Sequence, residues 1–342
     1  MFARLREGEF PGVLFDTTEG IMAQQAKEFI VGVDVCKDRL EIFEQSSERA
    51  YGIGNDAAAI AAWLEGMQGQ LKLALEPTNR YHLALAEAAH ARGHQVYLID
   101  PYRLSYYRAG LGRRAKTDRQ DARLLARFVE KEAGEWRPWT PLKPGEQRFW
   151  RLLKRRAALV RCKVQLHQSL SGLEVLQEEV AALVAHCEQM IRKLDRALLS
   201  EAKQLGWSEW IERCQEIPGV GPLTAMALVA SWRRGEFRSV DAFIAFLGLD
   251  VRVRQSGRWR GRCKLTKKGD AEVRRLLFNA AMQGRRSPQW APYYLKLRAR
   301  GLSSTAAFVA LSRKLAKVSF ALLRTNAQFV PAVSETTACV AT

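Results

Sequence analysis

A run of seven residues, Phe29–Val35, is apolar throughout except for one acidic side chain, Asp34. A buried β-strand accounts for the apolar residues, but a charge inside such a strand is unfavourable unless another group compensates for it. A short polar turn and a second alternating segment, Arg39–Glu44, follow directly. We therefore predict a β-hairpin at the start of the folded chain, with a functional carboxylate in its first strand.

Helices and strands alternate after this hairpin. The pattern predicts a helix capped by Asp56, a strand at Leu71–Glu76, a helix near Tyr81–Arg92, a strand at Gln95–Ile99 and a helix at Lys116–Glu132. A hairpin followed by alternating helices and strands is typical of an α/β domain, which we place at residues 28–135. Residues 1–27 show no clear periodicity and are expected to form a loose extension.

A proline-containing linker, residues 136–144, precedes a long proline-free segment at 145–206. Apolar side chains recur there at alternating spacings of three and four, and Gly172 is a natural break between two helices. The seam consists of Leu173, Leu176, Val180, Leu183, Cys187, Met190 and Leu194. It indicates a long helical coiled-coil segment, but both an intramolecular helical hairpin and an intermolecular coiled coil fit the pattern.

The third unit, residues 207–325, is predicted to be a mostly α domain. Pro218-Gly-Val-Gly221 lies between two predicted helices and has the form of a helix-hairpin-helix. In that motif Gly219 and Gly221 would let backbone N–H groups face a phosphate, whereas the alternative is a plain turn between helices. Residues 326–342 are rich in Ala and Thr and are expected to be a disordered tail.

Charge is distributed unevenly. The chain has 54 basic and 36 acidic side chains, yet residues 1–100 hold only 9 of the basic and 15 of the acidic ones. The basic excess of the remainder favours a polyanionic partner, nucleic acid before an anionic membrane. No apolar run reaches the ~18 residues of a membrane span, and the N-terminus does not resemble a secretory signal. Six scattered cysteines without a C-x-x-C pair fit a cytoplasmic protein with neither disulfides nor a zinc site.

The densest basic segment is residues 251–275, with ten basic and two acidic side chains. Trp259 within it could stack on a base, although most charge runs only neutralise phosphates. The candidate nucleic-acid-binding side chains here are Arg258, Trp259, Arg260, Arg262, Lys264, Lys267 and Lys268. A second basic cluster consists of Arg113, Arg114, Lys116 and Arg119. Both clusters are suited to phosphates rather than to base edges.

Four carboxylates are candidate metal ligands: Asp34, Glu76, Asp118 and Asp121. They lie within a strand, at the end of another strand and on one face of a helix start, so they could converge. With no His or Cys expected nearby, the ion should be a hard cation, Mg²⁺ or Mn²⁺. Two such ions can clamp the attacking and leaving oxygens of a phosphodiester. Singly, Asp118 also fits a helix cap, Asp121 a solvated helix residue and Glu76 a loop residue.

The first domain resembles a known family. Its strings Gly32-Val-Asp34, Ala74-Leu-Glu76-Pro-Thr78 and Lys116-Thr-Asp118-Arg-Gln-Asp121-Ala-Arg123 are similar to the RuvC-like DEDD domain of one insertion-sequence transposase family. That family consists of serine-dependent recombinases guided by a bridge RNA and is related to the pilin-gene DNA invertase. The resemblance covers about 28–325 and implies an RNase H-like (RuvC-like) fold for the α/β domain.

The basic unit resembles the transposase domain of the same family in the string Ser256-Gly257 … Gly261 … Lys267-x-Gly269 … Arg274-Arg275-Leu276. The resemblance implies that Ser256 is a nucleophile that forms a phosphoserine link to DNA while the four acids bind Mg²⁺. Thr266 stands where a serine is common in the family. From the residues alone Ser256 is a weak nucleophile, which neighbouring guanidinium groups could activate and which has no triad partner beside it.

The resemblance also implies partners. Donor and target DNA would be substrates, a structured noncoding RNA would guide the reaction, and a dimer or tetramer would form through the coiled-coil segment in a bacterial cytoplasm, associated with the nucleoid when acting. One alternative is a metal-dependent RuvC-like Holliday-junction resolvase or nuclease without a covalent intermediate. Another is a nucleic-acid-binding protein without activity, which gives no reason for an acid inside an apolar strand.

Overall fold

The computed structural model describes residues 28–112, 117–252, 255–256, 259–260 and 264–331. The chain divides into two compact units, of which one ends at Pro141 and the other begins at Leu142. The expected N-terminal extension and residues 332–342 of the expected tail lie outside the described residues, as do Arg113, Arg114 and Lys116 of the second basic cluster.

The first unit has a mixed sheet flanked by helices. Its strands are β1 (Glu28–Val35), β2 (Arg39–Glu44), β3 (Arg49–Gly54), β4 (Gln70–Leu75) and β5 (Gln95–Leu98). Its helices are α1 (Ala57–Glu65), α2 (Leu83–Ala91), α3 (Pro101–Gly110) and α4 (Asp118–Glu132). The strand order is β3-β2-β1-β4-β5. Strand β2 runs antiparallel to both β1 and β3, whereas β4 and β5 run parallel to β1.

The predicted hairpin is confirmed, since Val33 pairs with Ile42 and Val35 with Leu40 across β1 and β2. The predicted cap is confirmed as well, because the Asp56 carboxylate accepts hydrogen bonds from the first turn of α1. Sequence reasoning missed β3 and α3. Pro101 begins α3, because a backbone N–H at the first helical position has no partner within the helix and its absence in proline costs nothing.

Alternate residues of β1 face opposite sides of the sheet, and both sides are covered by helices. Val31 and Val33 are fully buried on one side of the sheet, together with Ile60 of α1 and Leu85 of α2. Gly32 lies on the other side against α4, and a Cβ atom at this position would overlap the backbone of Ala122 and Ala126. Helix α4 therefore lies directly on the central strand, which a larger residue at position 32 would prevent.

The second unit is mostly helical. Its helices are α5 (Pro144–Ser169), α6 (Gln177–Gln204), α7 (Ser208–Gln215), α8 (Pro222–Trp232), α9 (Val240–Phe246), α10 (Ala271–Gly284), α11 (Ala291–Ala299) and α12 (Ser304–Thr325). Every residue of α8 from Thr224 to Ser231 is buried, so this helix lies at the centre of the unit. Phe149 of α5 and Leu198 of α6 share that core. The helical segment and the C-terminal helices, predicted as separate domains, thus form one unit.

Helices α5 and α6 pack against each other within the chain and turn back near Gly172, which has a φ of 86°. Of the two possibilities left open by the heptad pattern, the intramolecular hairpin is therefore present. The buried side chains of α6 include Cys187, Ile191 and Leu198. Only Cys187 of these three belongs to the predicted seam. A strict seven-residue repeat follows a straight helix imperfectly, because 3.6 residues per turn does not divide seven.

Two further details differ from the sequence predictions. Pro144, placed in the linker, is the first residue of α5. The basic segment, which belongs to a unit predicted to be mostly α, contains four short strands: β6 (Val251–Arg252), β7 (Gln255–Ser256), β8 (Trp259–Arg260) and β9 (Lys264–Leu265). Strand β6 pairs with β9 and β7 with β8, so the β7–β8 pair lies between the two strands of the β6–β9 pair in the sequence.

Candidate active site

Asp34 lies on the face of β1 that meets α4. Side chains two residues apart in a strand point to the same side, so Asp34 shares the side of Gly32. Because Gly32 lets the backbone of α4 touch the strand, the first turn of α4 is held near the end of β1. The helix begins at Asp118, and the Thr117 hydroxyl accepts a hydrogen bond from the backbone N–H of Gln120. This packing brings the α4 acids towards Asp34.

Glu76 reaches the same edge through the neighbouring strand. Strands β1 and β4 are parallel, with Val33 opposite Leu75. Asp34 and Glu76 follow these two residues directly, so the two acids lie next to each other near the carboxyl ends of adjacent strands. Glu76 is half-buried and directly follows the last residue of β4. The four predicted acids, which we call the carboxylate cluster, thus approach one edge of the sheet from two strands and one helix.

The three other acids of the cluster affect the ionisation of Asp34. The pKa of Asp34 is raised from its usual 3.8 to about 6, mainly by burial and in addition by the neighbouring charges of Asp118, Asp121 and Glu76. Like charges that crowd together disfavour ionisation of each other. A divalent cation bound among them would relieve that repulsion, so the residues fit a hard cation such as Mg²⁺ or Mn²⁺.

Asp121 is held differently from the other three acids. Its side chain is only 6% exposed, and its Oδ1 accepts a 2.5 Å hydrogen bond from Nη2 of Arg108 in α3. A buried carboxylate needs such a partner, because an unpaired charge would be strongly unfavourable. Sequence reasoning missed Arg108, since α3 itself was not predicted. Arg108 fixes Asp121 in place on the inner side of the cluster.

Cys36 is the second residue that sequence reasoning missed. The expectation that no cysteine lies near the acids is wrong, because ligand atoms of Asp34, Cys36 and Asp118 all lie within 4.8 Å of one another. Cys36 is exposed and follows Asp34 by two residues. Burial and the charges of Asp34, Asp118 and Glu41 raise the pKa of its thiol. The signal was present in the sequence, in the spacing Asp34-Val-Cys36 at a strand end.

The predicted nucleophile, Ser256, lies in the second unit. It ends β7 and pairs with Trp259 at the start of the antiparallel strand β8. Gly257 and Arg258 lie outside the described residues, and so do Gly261 and Arg262. The structure therefore places Ser256 next to the end of a narrow β-hairpin within the most basic part of the chain.

Hydrogen bonds join the two chain segments at the base of this hairpin. The Thr266 hydroxyl donates a hydrogen bond to the Asp250 carboxylate, and the Thr266 N–H donates to the Asp250 carbonyl at 3.0 Å. Thr266 therefore ties together the two chain segments that enter and leave the hairpin. A serine offers the same hydroxyl, which explains why a threonine is compatible with the position. Nη1 of Arg274 donates to the Gly269 carbonyl at 2.5 Å and anchors the segment that follows.

The remaining basic candidates are spread over both units. Lys264, Lys267 and Lys268 are exposed along the strand and turn that leave the hairpin, and Lys267 has a φ of 57°. Arg119 is exposed on the first turn of α4, beside the carboxylate cluster. A cation next to the acids is suited to a phosphate that approaches them.

The turn between α7 and α8 is present as predicted, but its two glycines have different surroundings. Gly219 has a φ of 95°, and a Cβ there would overlap the backbone of Ala280 and Gly284 in α10. The Pro218 carbonyl accepts a 3.0 Å hydrogen bond from the Trp290 indole N–H. Gly219 is thus needed for packing against α10. Gly221 precedes α8, is exposed and has open space beside it, so it remains the better candidate for a phosphate contact.

A carboxylate cluster at the edge of a mixed sheet, joined to a basic helical unit, is typical of enzymes that use metal ions on nucleic-acid phosphodiesters. Comparisons with known families agree with this class. Residues 31–179 match a family described as transposase, the DEDD type of IS110. Residues 211–295 match the Transposase IS116/IS110/IS902 family. The chain belongs to this family of insertion-sequence transposases, whose DEDD domain implies a RuvC-like fold and dependence on a divalent metal.

Individual relatives extend the similarity over most of the chain. The pilin gene-inverting protein of Moraxella lacunata is 27% identical over 89% of this chain and 98% of its own length. The pilin gene-inverting protein of Moraxella bovis is 29% identical, over 78% of this chain and 84% of its own. The transposase for insertion sequence element IS1111A of Coxiella burnetii is 26% identical, over 61% of this chain and 66% of its own. In the described part of the chain, no helix has the length and apolar character needed to cross a membrane.

Proposed function

We propose that this transposase cuts and rejoins DNA strands through a covalent phosphoserine intermediate at Ser256, with the carboxylate cluster holding Mg²⁺ or Mn²⁺. The observation that carries the proposal is the cluster itself, in which the ionisation of Asp34 responds to all three other acids. A bound divalent ion would polarise the phosphoryl group of the substrate. The transposase family match at residues 211–295 includes Ser256 and supports its assignment to the same reaction.

The covalent step conserves bond energy. The Ser256 oxygen forms a bond to phosphorus, the bond from phosphorus to one deoxyribose oxygen breaks, and the released hydroxyl takes up a proton while the serine loses one. Rejoining is the reverse reaction with the hydroxyl of another strand, so no external energy source is needed. The surrounding arginines and lysines offset the negative charge that develops on the phosphoryl oxygens.

Trapping the intermediate tests this proposal. The protein is incubated with its insertion-sequence DNA and Mg²⁺, denatured, digested and examined by mass spectrometry for a nucleotide attached to Ser256. We expect the adduct in the wild type and in Ser200→Ala, which changes an exposed serine of α6. We expect none in Ser256→Ala. An adduct that persists in Ser256→Ala would contradict the proposal.

A second candidate function is a metal-dependent resolvase or nuclease of the same fold. It is favoured by the position of all four acids within the first unit, since metal ions held there could activate water for hydrolysis without Ser256. In that case Ser256→Ala keeps Mg²⁺-dependent strand cleavage and no covalent species forms. Strand cleavage by Ser256→Ala, compared with the control Ser200→Ala, therefore distinguishes the two candidate functions.

We also propose that a structured noncoding RNA guides the reaction. The basic side chains of the hairpin and of α4 are suited to backbone contacts, so sequence specificity would come from base pairing rather than from the protein. Sequencing of the nucleic acid that copurifies with the full-length protein tests this. A single RNA encoded beside the gene supports the proposal, and a random sample of host RNA contradicts it.

Self-association completes the proposal. The far end of the α5–α6 hairpin exposes apolar side chains, with Leu173, Val175 and Leu183 exposed to 48%, 82% and 51%. Exposed apolar patches of this kind commonly mark association surfaces. We propose that a second copy of the chain covers this end and that a dimer or tetramer forms.

A further inference from the structure

A thiol lies within the carboxylate cluster. Asp34 and Cys36 are two residues apart at the end of β1, and Asp118 begins the helix that packs against that strand. One ligand atom from each, two carboxylate oxygens and one sulfur, lie within 4.8 Å of one another. The two ligands that must move most freely to close around an ion, Cys36 and Asp118, are both exposed.

This donor set differs chemically from four carboxylates. Mg²⁺ takes oxygen ligands, whereas a thiolate selects softer ions such as Zn²⁺. Zinc binds sulfur at about 2.3 Å and carboxylate oxygen at about 2.0–2.2 Å, and sites with three protein ligands keep one position open. Ligands around a tetrahedral ion are then about 4 Å or less apart, so the exposed side chains of Cys36 and Asp118 would move closer to Asp34 when an ion binds.

The surroundings reinforce cation binding. Glu41 of β2 is paired with Asp34 across the strands, so both side chains lie on the same face of the sheet. One carboxylate oxygen of Glu41 binds Nε of Arg39 at 2.6 Å, and the other is buried without a hydrogen-bond partner in the structure. The charge of Glu41 also acts on the Cys36 thiol, so it adds to the negative potential that attracts a cation.

We propose that Asp34, Cys36 and Asp118 bind one thiophilic divalent cation, Zn²⁺ or its analogue Cd²⁺, and that this ion competes with Mg²⁺ for the site. On binding, the sulfur–hydrogen bond is replaced by a sulfur–metal bond and the proton passes to solvent. Because Asp34 and Asp118 would then hold the wrong ion, strand cleavage would be inhibited. The inhibition rests on the proposed function, but binding of the ion does not.

Cadmium provides a direct test of binding, because a cadmium–thiolate bond absorbs in the ultraviolet. The full-length protein is titrated with Cd²⁺, and the absorption is compared between the wild type, Cys36→Ser and Cys162→Ser. Cys162 is an exposed cysteine of α5 and is the matched control. We expect Cys36→Ser to lose the tight-binding part of the absorption and Cys162→Ser to keep it. Equal absorption in the wild type and Cys36→Ser would overturn the inference.

The role of the carboxylates needs a separate variant. In Asp118→Asn the thiol is intact, so Cd²⁺ bound by the thiol alone would give an unchanged titration. Loss of a ligand should weaken Cd²⁺ binding by more than about tenfold, since even changes outside the direct ligands cost 10- to 100-fold. An unchanged Cd²⁺ affinity in Asp118→Asn would contradict a three-ligand site.

Competition is measured with Mn²⁺, whose free and protein-bound forms differ in electron paramagnetic resonance. We expect Zn²⁺ to release bound Mn²⁺ from the wild type at a concentration at least about tenfold lower than from Cys36→Ser. The same concentration in both proteins would contradict the competition. If the protein shows no Mg²⁺-dependent cleavage at all but the cadmium absorption depends on Cys36, the proposed function fails while the thiophilic site stands.

Discussion

At the scale of single residues, Asp34 carries the strongest physical signal in the chain. An acid inside an apolar strand was recognisable from the sequence, because burial of an uncompensated charge is unfavourable. The structure adds the compensating surroundings, in which Asp118, Asp121 and Glu76 raise the pKa of Asp34 beyond the effect of burial. Cys36 and Arg108 escaped prediction, because their proximity depends on a turn and on a helix that the hydrophobic pattern does not reveal.

The raised pKa of Asp34 makes stability depend on pH. The folded protein binds the Asp34 proton more tightly than the unfolded chain does, so ionisation destabilises the fold above about pH 6. In metal-free buffer at pH 8, Asp34→Asn should therefore raise the free energy of unfolding by about 1–2 kcal/mol, allowing for solvent screening. The gain should shrink as the pH falls through 6 and vanish below about 4. Urea unfolding at several pH values measures it.

The matched control for this experiment is Asp38→Asn, which changes an exposed acid of the β1–β2 turn. It should alter the free energy of unfolding by less than about 0.5 kcal/mol at either pH. A lower stability of Asp34→Asn than of the wild type at pH 8 would show that the Asp34 charge is compensated in the metal-free protein, contrary to the environment described above.

The Arg108–Asp121 pair gives a second prediction. Removal of Arg108 leaves a buried charge without its partner, so Arg108→Ala should destabilise the protein by about 3 kcal/mol. Asp121→Asn in the same chain should restore part of that loss, because the unpaired charge is then gone. Urea unfolding of the two single variants and the double variant gives the coupling. A double variant no more stable than Arg108→Ala would argue against a charge pair as the cause.

At the scale of elements, the contact between β1 and α4 positions the site. Sequence periodicity predicted both elements, the hairpin and the cap of α1, since these depend on local patterns. It did not predict that α4 crosses β1 at Gly32, because a glycine in a strand carries no indication of its neighbour. The heptad seam likewise identified two long helices but not which side chains they bury against each other.

Gly32→Ala tests this contact. The added Cβ would overlap the backbone of α4 at Ala122 and Ala126, so the helix must shift away from the strand. We expect a loss of about 1–3 kcal/mol in the free energy of unfolding and weaker Mn²⁺ binding, because Asp118 moves with the helix. Gly134→Ala, where nothing lies near the added atom, should change neither quantity appreciably. Unchanged Mn²⁺ affinity in Gly32→Ala would contradict the positioning role.

At the scale of the whole molecule, composition already separated an acidic N-terminal part from a strongly basic remainder. The structure shows two compact units with the division at Pro141, close to the proline-containing linker that the sequence indicated. The helical hairpin was expected to be a domain of its own. It instead shares a core with the C-terminal helices, because Phe149 and Leu198 at its base are fully buried among them.

The exposed end of that hairpin leads to a prediction about association. Val175→Asp places a charge on the most exposed apolar side chain of this end and should weaken self-association at least about tenfold, since burial of such a side chain contributes about 1.5–3 kcal/mol. Val330→Asp, at a similarly exposed valine, is the control and should have no effect. Sedimentation over a concentration series measures both. Equal association of the two variants would place the interface elsewhere.

The binding of Mn²⁺ to the metal-free protein tests most directly whether the four acids form one metal site, and electron paramagnetic resonance measures it. We predict bound Mn²⁺ in the wild type and in Glu178→Gln, which changes an exposed acid at the start of α6. We predict affinities more than about tenfold lower in Asp34→Asn and in Asp118→Asn. The same Mn²⁺ affinity in all four proteins would contradict a metal site at the edge of the sheet.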